Sequence, residues 1–464
     1  MPFPDLREAV QWIEDRKNEC FRCVSHYDAD GISAAGILGK LLIDLKADFH
    51  FTILRQLEKD KIKELARENY SYYIFTDFGS GQLPQLQEIL INNGKEAMVI
   101  DHHQPEEIKP SRSLLHINAH EFGMDGSREI SGSGMTYLIA RGISKNYSHL
   151  AIVGALGDMQ DRDGKLIGVN REILNEGEKE GTIKSEIDLR FFGRFTRPIY
   201  KAMEYTTDPF IPGITGNEER CLAVLRELGI KIKDGEHWRR VVDLDFEEKK
   251  SLATYLLFKI LGDAPEERAE SLIGEVYTVL GEDDRSELRD AKSFATLLNA
   301  CGRNNYGGVG LSICLGERDS MYKLAENILL EHRRLLSESI NILNELEVSK
   351  LENIQYFHGK ERIKDSIIGT VTMMGLGTRI IDVSKPSIGM VYAEDNLTKV
   401  SARTTRKLCR MGINLGLALK KASEQVGGEG GGHDIAAGAK IPREKEQEFL
   451  RAVDSIVGKQ LGKG

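Results

Sequence analysis

From residue 21 to residue 103 the chain alternates short apolar runs with amphipathic stretches. FRCVSH, DFHFTIL, YYIFTDF and AMVIDHH read as strands; LREAVQWIEDRKNE before them, and GISAAGILGKLLIDLK, KDKIKELAREN and LPQLQEILINN between them, carry helical spacing. Such β/α alternation predicts a mostly parallel sheet with helices on both faces, whose ligand site lies outside the carboxyl ends of the strands. The acidic and histidine residues fall there. Asp28 and Asp30 follow the first strand, Asp77 closes YYIFTD, and Asp101, His102 and His103 close MVIDHH.

A chain of 464 residues exceeds what one hydrophobic core fills, so two or more domains are expected. With 41% hydrophobic and 29% charged residues it has the composition of a soluble globular protein, and no apolar run reaches the length that spans a bilayer. MPFPDLREAV lacks a secretory layout, and six cysteines are too sparse for a disulfide framework, so a cytoplasmic location without membrane partners is expected. Cys20 and Cys23 form a lone C-x-x-C read as structural, because a zinc site needs two more ligands nearby. A net charge of −9 argues against indiscriminate adhesion to nucleic acid but leaves room for a local basic groove or bound cations.

Along the chain the expectation is an α/β domain over 1–189, an inserted charged helical region over 190–290, and a return to the first domain over 291–320. EEKKSLATYLLFKILGD and PEERAESLIGEVYTVLGE are both read as helical within the insertion. A long amphipathic helix over 321–350 then links to a smaller α/β domain over 351–464, with Leu324, Ile328, Leu335, Leu343 and Leu346 on its apolar stripe. In that last domain DSIIGTVT and SIGMVYAED read as strands and INLGLALKKASEQV as a helix, while DIAAGA, after a glycine run, reads as helical.

Four pieces call for a joint explanation: DAD at 28–30, Asp77, DHH at 101–103, and Asp158 in LGDMQDRDG. Each alone is ordinary, as a solvated turn or a helix cap. Gathered at successive strand ends, they would repel one another unless cations neutralised them. Hard carboxylate oxygens with one or two imidazoles suit Mn²⁺ or Mg²⁺, and two ions fit the ligand count. A pair roughly 3.5–4 Å apart can bind phosphate oxygens and activate a water for in-line attack on phosphorus. In this reading the DAD carboxylates lie on opposite sides of one extended step, each facing a different ion, and Asp77 is the candidate bridge.

SHYDADG, TDFG, DHH and GDMQDR, in this order, resemble motifs one to four of the DHH phosphoesterases, and EGGGHDIAAGA resembles the glycine-rich histidine motif of their DHHA1 domain. SGSGMTY at 131–137 is similar to the segment following the DHH motif, and LLNACGR at 297–303 is similar to a segment of the RecJ branch. The resemblance covers about 1–175 and 290–460; the helical interval is reminiscent of archaeal RecJ-like proteins. It implies metal binding by Asp28, Asp30, Asp77, His102 and Asp158, with catalytic roles for Asp77, His103, Asp158 and His433. It also implies substrate binding by Arg303, Ser401, Arg403, Gly431, Gly432 and His433, with Arg406, Lys407 and Arg410 extending a basic stripe. His26 is left open between ligand and strand-end histidine, Asp101 is expected to orient an imidazole, and Asp161 and Asp163 are expected at the surface or as loop caps.

The activity so implied is a RecJ-like, two-metal exonuclease of DNA replication or repair, releasing mononucleotides from single-stranded DNA or RNA held between the DHH and DHHA1 domains. Two alternatives stand beside it: a nanoRNase or cyclic-dinucleotide phosphodiesterase, and a replication scaffold docking onto GINS and the replicative helicase. LRFFGRFTRPIYK at 189–201 interleaves Arg190, Arg194, Arg197 and Lys201 with Phe191, Phe192, Phe195 and Tyr200. It reads either as a base-stacking surface or as a core segment at a domain junction.

Overall fold

The computed structural model describes residues 6–107, 112–143, 147–161, 163–206, 209–263 and 271–462. The alternation read from the sequence becomes β1 (Phe21–His26), β2 (Phe49–Leu54), β3 (Tyr72–Thr76) and β4 (Glu96–Asp101), and a fifth strand that the sequence reading left out, β5 (Leu114–Asn118), joins them; all are parallel, in the order β2-β1-β3-β4-β5. Helices α1 (Arg7–Asp15), α2 (Ala29–Asp44), α3 (Lys59–Arg67) and α4 (Leu83–Ile89) precede or connect them. Both faces are covered. Phe21, Cys23, Ile74, Met98 and Ile100 point into one core with α2, while Val24, Tyr73, Phe75, Ala97 and Val99 point into another with α3 and α4. The strands are therefore apolar nearly throughout, as buried parallel strands require.

The first core is completed by α5 (Gly132–Ala140), α6 (Ser148–Gly157) and α7 (Gly168–Lys179), and by two helices that arrive far later in the chain. Next comes β6 (Ile183–Leu189), then α8 (Ile199–Tyr205), α9 (Glu218–Glu227), a short hairpin of β7 (Lys233–Asp234) and β8 (His237–Trp238), and α10 (Phe246–Asp263). These helices enclose a core of their own, including Leu189, Phe191, Met203, Val224, Leu225, Leu252 and Leu256.

The stretch read as helical at 265–282 is instead β9 (Ile273–Val279) where it is described; residues 264–270 lie outside the described residues. The alternation in IGEVYTV and its β-branched and aromatic residues suit a strand, and β9 pairs antiparallel with β6 from Leu189↔Ile273 to Ile183↔Val279. Its Tyr277 and Val279 join the first core. The chain then returns through α11 (Ala291–Arg303) and α12 (Gly307–Leu315).

By contacts the chain divides into two compact units, Met1–Thr206 with Ile211–Leu329, and Thr207–Phe210 with Leu330–Gly464. The long helix α13 (Ser320–Glu345) contributes to a core in each: Ala325, Ile328 and Leu329 to the first, Leu343 to another with Phe357 and Ile367. The second unit carries a six-stranded sheet of β10 (Ser349–Lys350), β11 (Gln355–Lys360), β12 (Ser387–Tyr392), β13 (Leu397–Arg403), β14 (Glu429–Gly432) and β15 (Ala436–Pro442). Its order is β10-β11-β12-β13-β15-β14, and only β11 and β12 run parallel. Helices α14 (Ile368–Gly377), α15 (Arg406–Arg410), α16 (Leu415–Gln425) and α17 (Glu446–Gln460) belong to this unit.

Two expectations there are corrected. DSIIGTVT is not a strand but leads into α14, because the buried set Ile368, Val371, Thr372, Gly375 and Leu376 repeats at three and four residues. DIAAGA is not helical: β15 pairs with β13 and β14, and strand pairing overrides the helix preference of alanine. All six cysteines are free, Cys23 within the core. Among the described residues no helix is long and apolar enough to cross a membrane.

Candidate metal centre

The strand register sets the site. Ser25 lies opposite Thr76 and Thr76 opposite Ile100, so His26, Asp77 and Asp101 leave β1, β3 and β4 at one edge. The order β2-β1-β3 makes β1/β3 the point where successive connections diverge, the crevice in which open α/β sheets bind ligands. Asp28 is the N-cap of α2, its carboxylate accepting from the Gly31 N–H at 3.1 Å, and Asp30 stands in the first helical turn. The DAD carboxylates are thus separated by a helix start, not by an extended step.

Three overlapping donor groups result, His26 with Asp28 and Asp77, Asp30 with His102 and Asp158, and Asp77 with Asp101, His102 and His103, each offering donor atoms all within 4.8 Å of one another. The first two each take one carboxylate of the DAD motif. Asp77 is shared: its Oδ2 lies 3.3 Å from His26 Nδ1 and its Oδ1 lies 3.1 Å from His102 Nε2. His102 Nε2 is also 3.3 Å from Asp158 Oδ2 and 3.7 Å from Asp30 Oδ2. Asp77 holds a left-handed backbone, φ 63°, a conformation Asp adopts more readily than most residues. The start of α5 packs against it so closely that a Cβ on Gly132 would sit 2.5 Å from Asp77 Oδ1.

The supporting shell explains the neighbouring motifs. In SGSG, the N–H groups of Gly132 and Ser133 donate to Asp30 at 2.6 and 3.0 Å. His102 Nδ1 donates to the Gly126 carbonyl at 2.6 Å, which aims Nε2 at the carboxylates. Gln160 donates to the same carbonyl, and Asn170 holds Gln160. His103 stands beside His102, ring centroids 4.3 Å apart; its Nδ1 bonds Asp101 at 2.8 Å, and the ring is 40% exposed. Asp101 also accepts from the Ser80 N–H, so it orients an imidazole as expected from the sequence.

Residues that the sequence reading missed anchor the start of α2. Asn299 Oδ1 accepts from the Ala29 N–H at 3.0 Å, and a Cβ on Gly302 would lie 1.6 Å from the Tyr27 carbonyl oxygen. Both belong to NACGR, three residues apart on one face of α11, a spacing that could have marked them. Gly302→Ala is expected to cost about 1–3 kcal/mol through overpacking, lowering the melting temperature and shifting the backbone between His26 and Asp30. Thermal melts beside activity well below the melt check both effects.

Electrostatics fit an ion-binding role. Burial pushes the Asp30 carboxyl up to about 7, with Asp77 adding to it, and burial and Asp30 hold Asp158 well above the usual range. Burial alone would lower the two imidazoles, but Asp77, Asp158 and Asp30 outweigh it at His102, and Asp28 and Asp77 outweigh it at His26, so both are raised. Buried Asp77 Oδ1 and His102 Nε2 have no hydrogen-bond partner. Oxygen donors with imidazole nitrogen and orphaned buried donor atoms suit a hard or borderline divalent cation. Loading it must expel protons. Titrating Mn²⁺ into chelator-treated protein at about pH 6.5 in two buffers of unlike ionisation heat is expected to give unequal apparent enthalpies, with affinity falling as the pH falls.

Other expected site residues lie elsewhere. Arg303 ends α11, its carbonyl accepting from Arg55 at 2.9 Å. In the second unit Ser401, Gly438 and Gly431 share one row across β13, β15 and β14, with Gly432 following Gly431 and His433 in the exposed turn after it. Arg403 donates to the Ala402 carbonyl at 2.8 Å, beside the start of α14. Asp163 is at the surface, paired with Arg128. Asp161 is not: it is 2% exposed and pairs with Arg190 and Lys292, because the loop after α6 folds under β9. No residue of the aromatic and basic segment at 189–201 is fully exposed, and five of its thirteen are buried. Phe191 and Arg194 are buried, Arg190 is taken by Asp161, and Arg197 lies over Phe192 and Tyr205.

Family models match three segments: the DHH family N-terminal domain over 21–156, the DHH-CID domain over 191–273, and the DHHA1 domain over 360–459. The chain belongs to the DHH/DHHA1 family. The DHH-CID match covers the segment between β6 and the start of β9. An uncharacterized protein of Methanocaldococcus jannaschii is 38% identical over 447 residues, covering 95% of this chain and 94% of the relative. The single-stranded-DNA-specific exonuclease RecJ of Thermus thermophilus is 28% identical over 220 residues, 44% of this chain but 32% of that protein. Among solved structures, Thermus thermophilus RecJ with Mn²⁺ matches this DHH/DHHA1 chain with a TM-score of 0.60 at 18% identity, covering 99% of this chain and 55% of that one. CDC45 from Entamoeba histolytica matches at 0.65 and 12% identity, covering 97% and 98%. At these identities the likeness is one of fold.

Proposed function

We propose that this chain is a divalent-metal-dependent exonuclease that hydrolyses phosphodiester bonds of single-stranded DNA or RNA to mononucleotides. The observation that carries this is the Asp77 carboxylate shared between two carboxylate and imidazole groups, with buried donor atoms left unpartnered. Hydrolysis of phosphodiester bonds is also the chemistry of RecJ exonucleases, with which this chain shares the DHH domain.

Asp28, Asp77 and His26 would hold one ion, and Asp30, Asp77, His102 and Asp158 the other, Mn²⁺ or Mg²⁺. When bound, such ions polarise phosphate oxygens and lower the pKa of water. The protein's own groups do the rest. The α5 N–H groups and the Gly126 carbonyl fix Asp30 and His102, so little rearrangement is needed on binding. His103, steadied by Asp101 at Nδ1, presents its outer nitrogen to a phosphate oxygen or to the leaving oxygen, to which the imidazolium form would donate a proton. In the second unit, Ser401, Arg403, Gly431, Gly432 and His433 would grip phosphate, with a planar guanidinium suited to two parallel hydrogen bonds, and Arg303 would contact the strand.

End-labelled single-stranded DNA and RNA, each labelled at either end, with Mn²⁺ and with chelator, test the reading. Metal-dependent release of mononucleotides from long strands is expected, and the label lost first gives the direction. Long strands left intact while a dinucleotide or cyclic dinucleotide is cleaved would replace it with the small-substrate phosphodiesterase.

A second reading, a replication scaffold docking onto GINS and the replicative helicase, draws support from the CDC45-like fold along nearly the whole chain. Exposed Phe246, Phe258 and Leu261 on α10 also favour it. A GINS pull-down unaltered by Phe246→Ser with Phe258→Ser would count against α10 as the contact.

A further inference from the structure

The DHH-CID segment contains a groove of about 780 Å³ whose walls come from three places in the chain: the segment after β6, the β7/β8 hairpin with its flanks, and the loop after β9. We propose that this groove binds a stretch of single-stranded nucleic acid, phosphates on its cations and a base on Trp238. The proposal rests on the exonuclease reading for its substrate class, and adds a second place where the strand is held.

Charge is the first support. Arg239 and Arg240 on the lining are already engaged, by Glu248 at 2.7 Å and Asp243 at 2.9 Å. Lys231, Lys233 and Arg285 add three cations that no ion pair among the described residues engages, against Asp234 on the same lining, which leaves a net excess of two positive charges. In a chain of net charge −9 such a local excess is selective for anions.

The aromatic surface is the second. The chain has two tryptophans; Trp12 is 7% exposed within the core, whereas Trp238 is 43% exposed on the groove. Tyr200 packs against its ring at a tilt of 55°, centroids 5.4 Å apart, and Lys233 Nζ sits over the ring, 4.3 Å from the centroid. A base stacks on the face that Lys233 leaves open, or moves the ammonium off the ring and onto the adjoining phosphate.

The third support is rigidity. Arg240 donates to the Phe195 and Asp284 carbonyls at 3.0 and 3.1 Å, tying the hairpin to both other walls, and the Ile199 N–H donates to the Arg239 carbonyl. The groove is set before a ligand arrives, so binding energy is not spent on ordering it.

Fluorescence anisotropy with labelled 20-mers of thymidylate and of uridylate, in chelator so that nothing is cleaved, tests this on the full chain. Trp238→Ala is expected to weaken binding roughly 5- to 100-fold, and Trp238→Phe to restore most of it. Lys233→Ala with Arg285→Ala is expected to flatten the slope of log affinity against log salt by roughly 1.4. The thymidylate and uridylate arms report sugar preference. Melting temperatures matching the wild type keep the comparison valid; a variant that melts early is replaced by Lys231→Ala with Lys233→Ala. Equal affinities for wild type and Trp238→Ala overturn the groove and leave the exonuclease reading standing. Strands left intact in Mn²⁺ by wild-type protein that still needs Trp238 to bind them overturn the exonuclease reading and leave the groove standing.

Discussion

Asp77→Asn is expected to lower Mn²⁺-dependent hydrolysis by about three orders of magnitude while the ion-free protein melts near the wild-type temperature. One carboxylate serves the donor groups of both ions, so its loss weakens both, and several kcal/mol of metal-derived transition-state stabilisation converts at about 1.4 kcal/mol per decade. Asparagine keeps the shape and tolerates the left-handed backbone at this position. It also removes a negative charge that repels Asp30 and Asp158 while giving up an attraction for His26 and His102, so the two effects oppose each other and stability should change little. Melts with and without Mn²⁺ add a second readout: the stabilisation that the ion gives the wild type should shrink in the variant. Hydrolysis at wild-type rate would remove the centre from the mechanism, and a low melt without ion would make the loss structural.

Asp161→Ala is expected to be the most destabilising change among those considered, by about 3–5 kcal/mol, because it strands a charge that burial cuts off from water. Arg190 is nearly buried against this carboxylate, and Lys292 approaches it from α11 at 3.5 Å. Burial would raise the Asp161 carboxyl, but Lys292 and Arg190 hold it below the usual range. A depressed folded pKa means that the pair stabilises the protein above the unfolded value and stops doing so as acid protonates it. The gap between wild type and variant in urea melts should therefore be full near neutrality and narrow below about pH 4. A gap that stays constant down to pH 2 would show that packing, not charge, makes the difference.

Asp161 also shows where the sequence stops being informative. It lies two residues from Asp163 in a stretch of like composition, and only the fold, by passing β9 and Arg190 beside one and leaving the other at the surface, separates them. Four of the five parallel strands were legible because each apolar run is bounded by helical spacing, whereas the short β5, with His116 and Asn118 breaking its apolar run, was not read. The acidic and histidine residues were legible because strand ends of one parallel sheet share an edge. In the second unit, the eight residues of DSIIGTVT fit either period, and the helix declares itself only when Gly375 and Leu376 extend the pattern. The neutral supports were invisible for a related reason: Asn299 meets Ala29 across 270 positions. An amide or glycine carries no chemistry that announces such a distant partner.

The pairing of β6 with β9 fixes how the DHH-CID segment is attached. Entry and exit are hydrogen-bonded neighbours, from Leu189 opposite Ile273 outward, so the first unit sees a constant two-stranded neck whatever lies beyond it. Lengthening or shortening the excursion changes loop-closure entropy only slowly and strains no residue of the parallel sheet. Descendants of such a chain are free to exchange the whole module, and with it whatever the module binds, while the chemistry at the strand ends is inherited untouched.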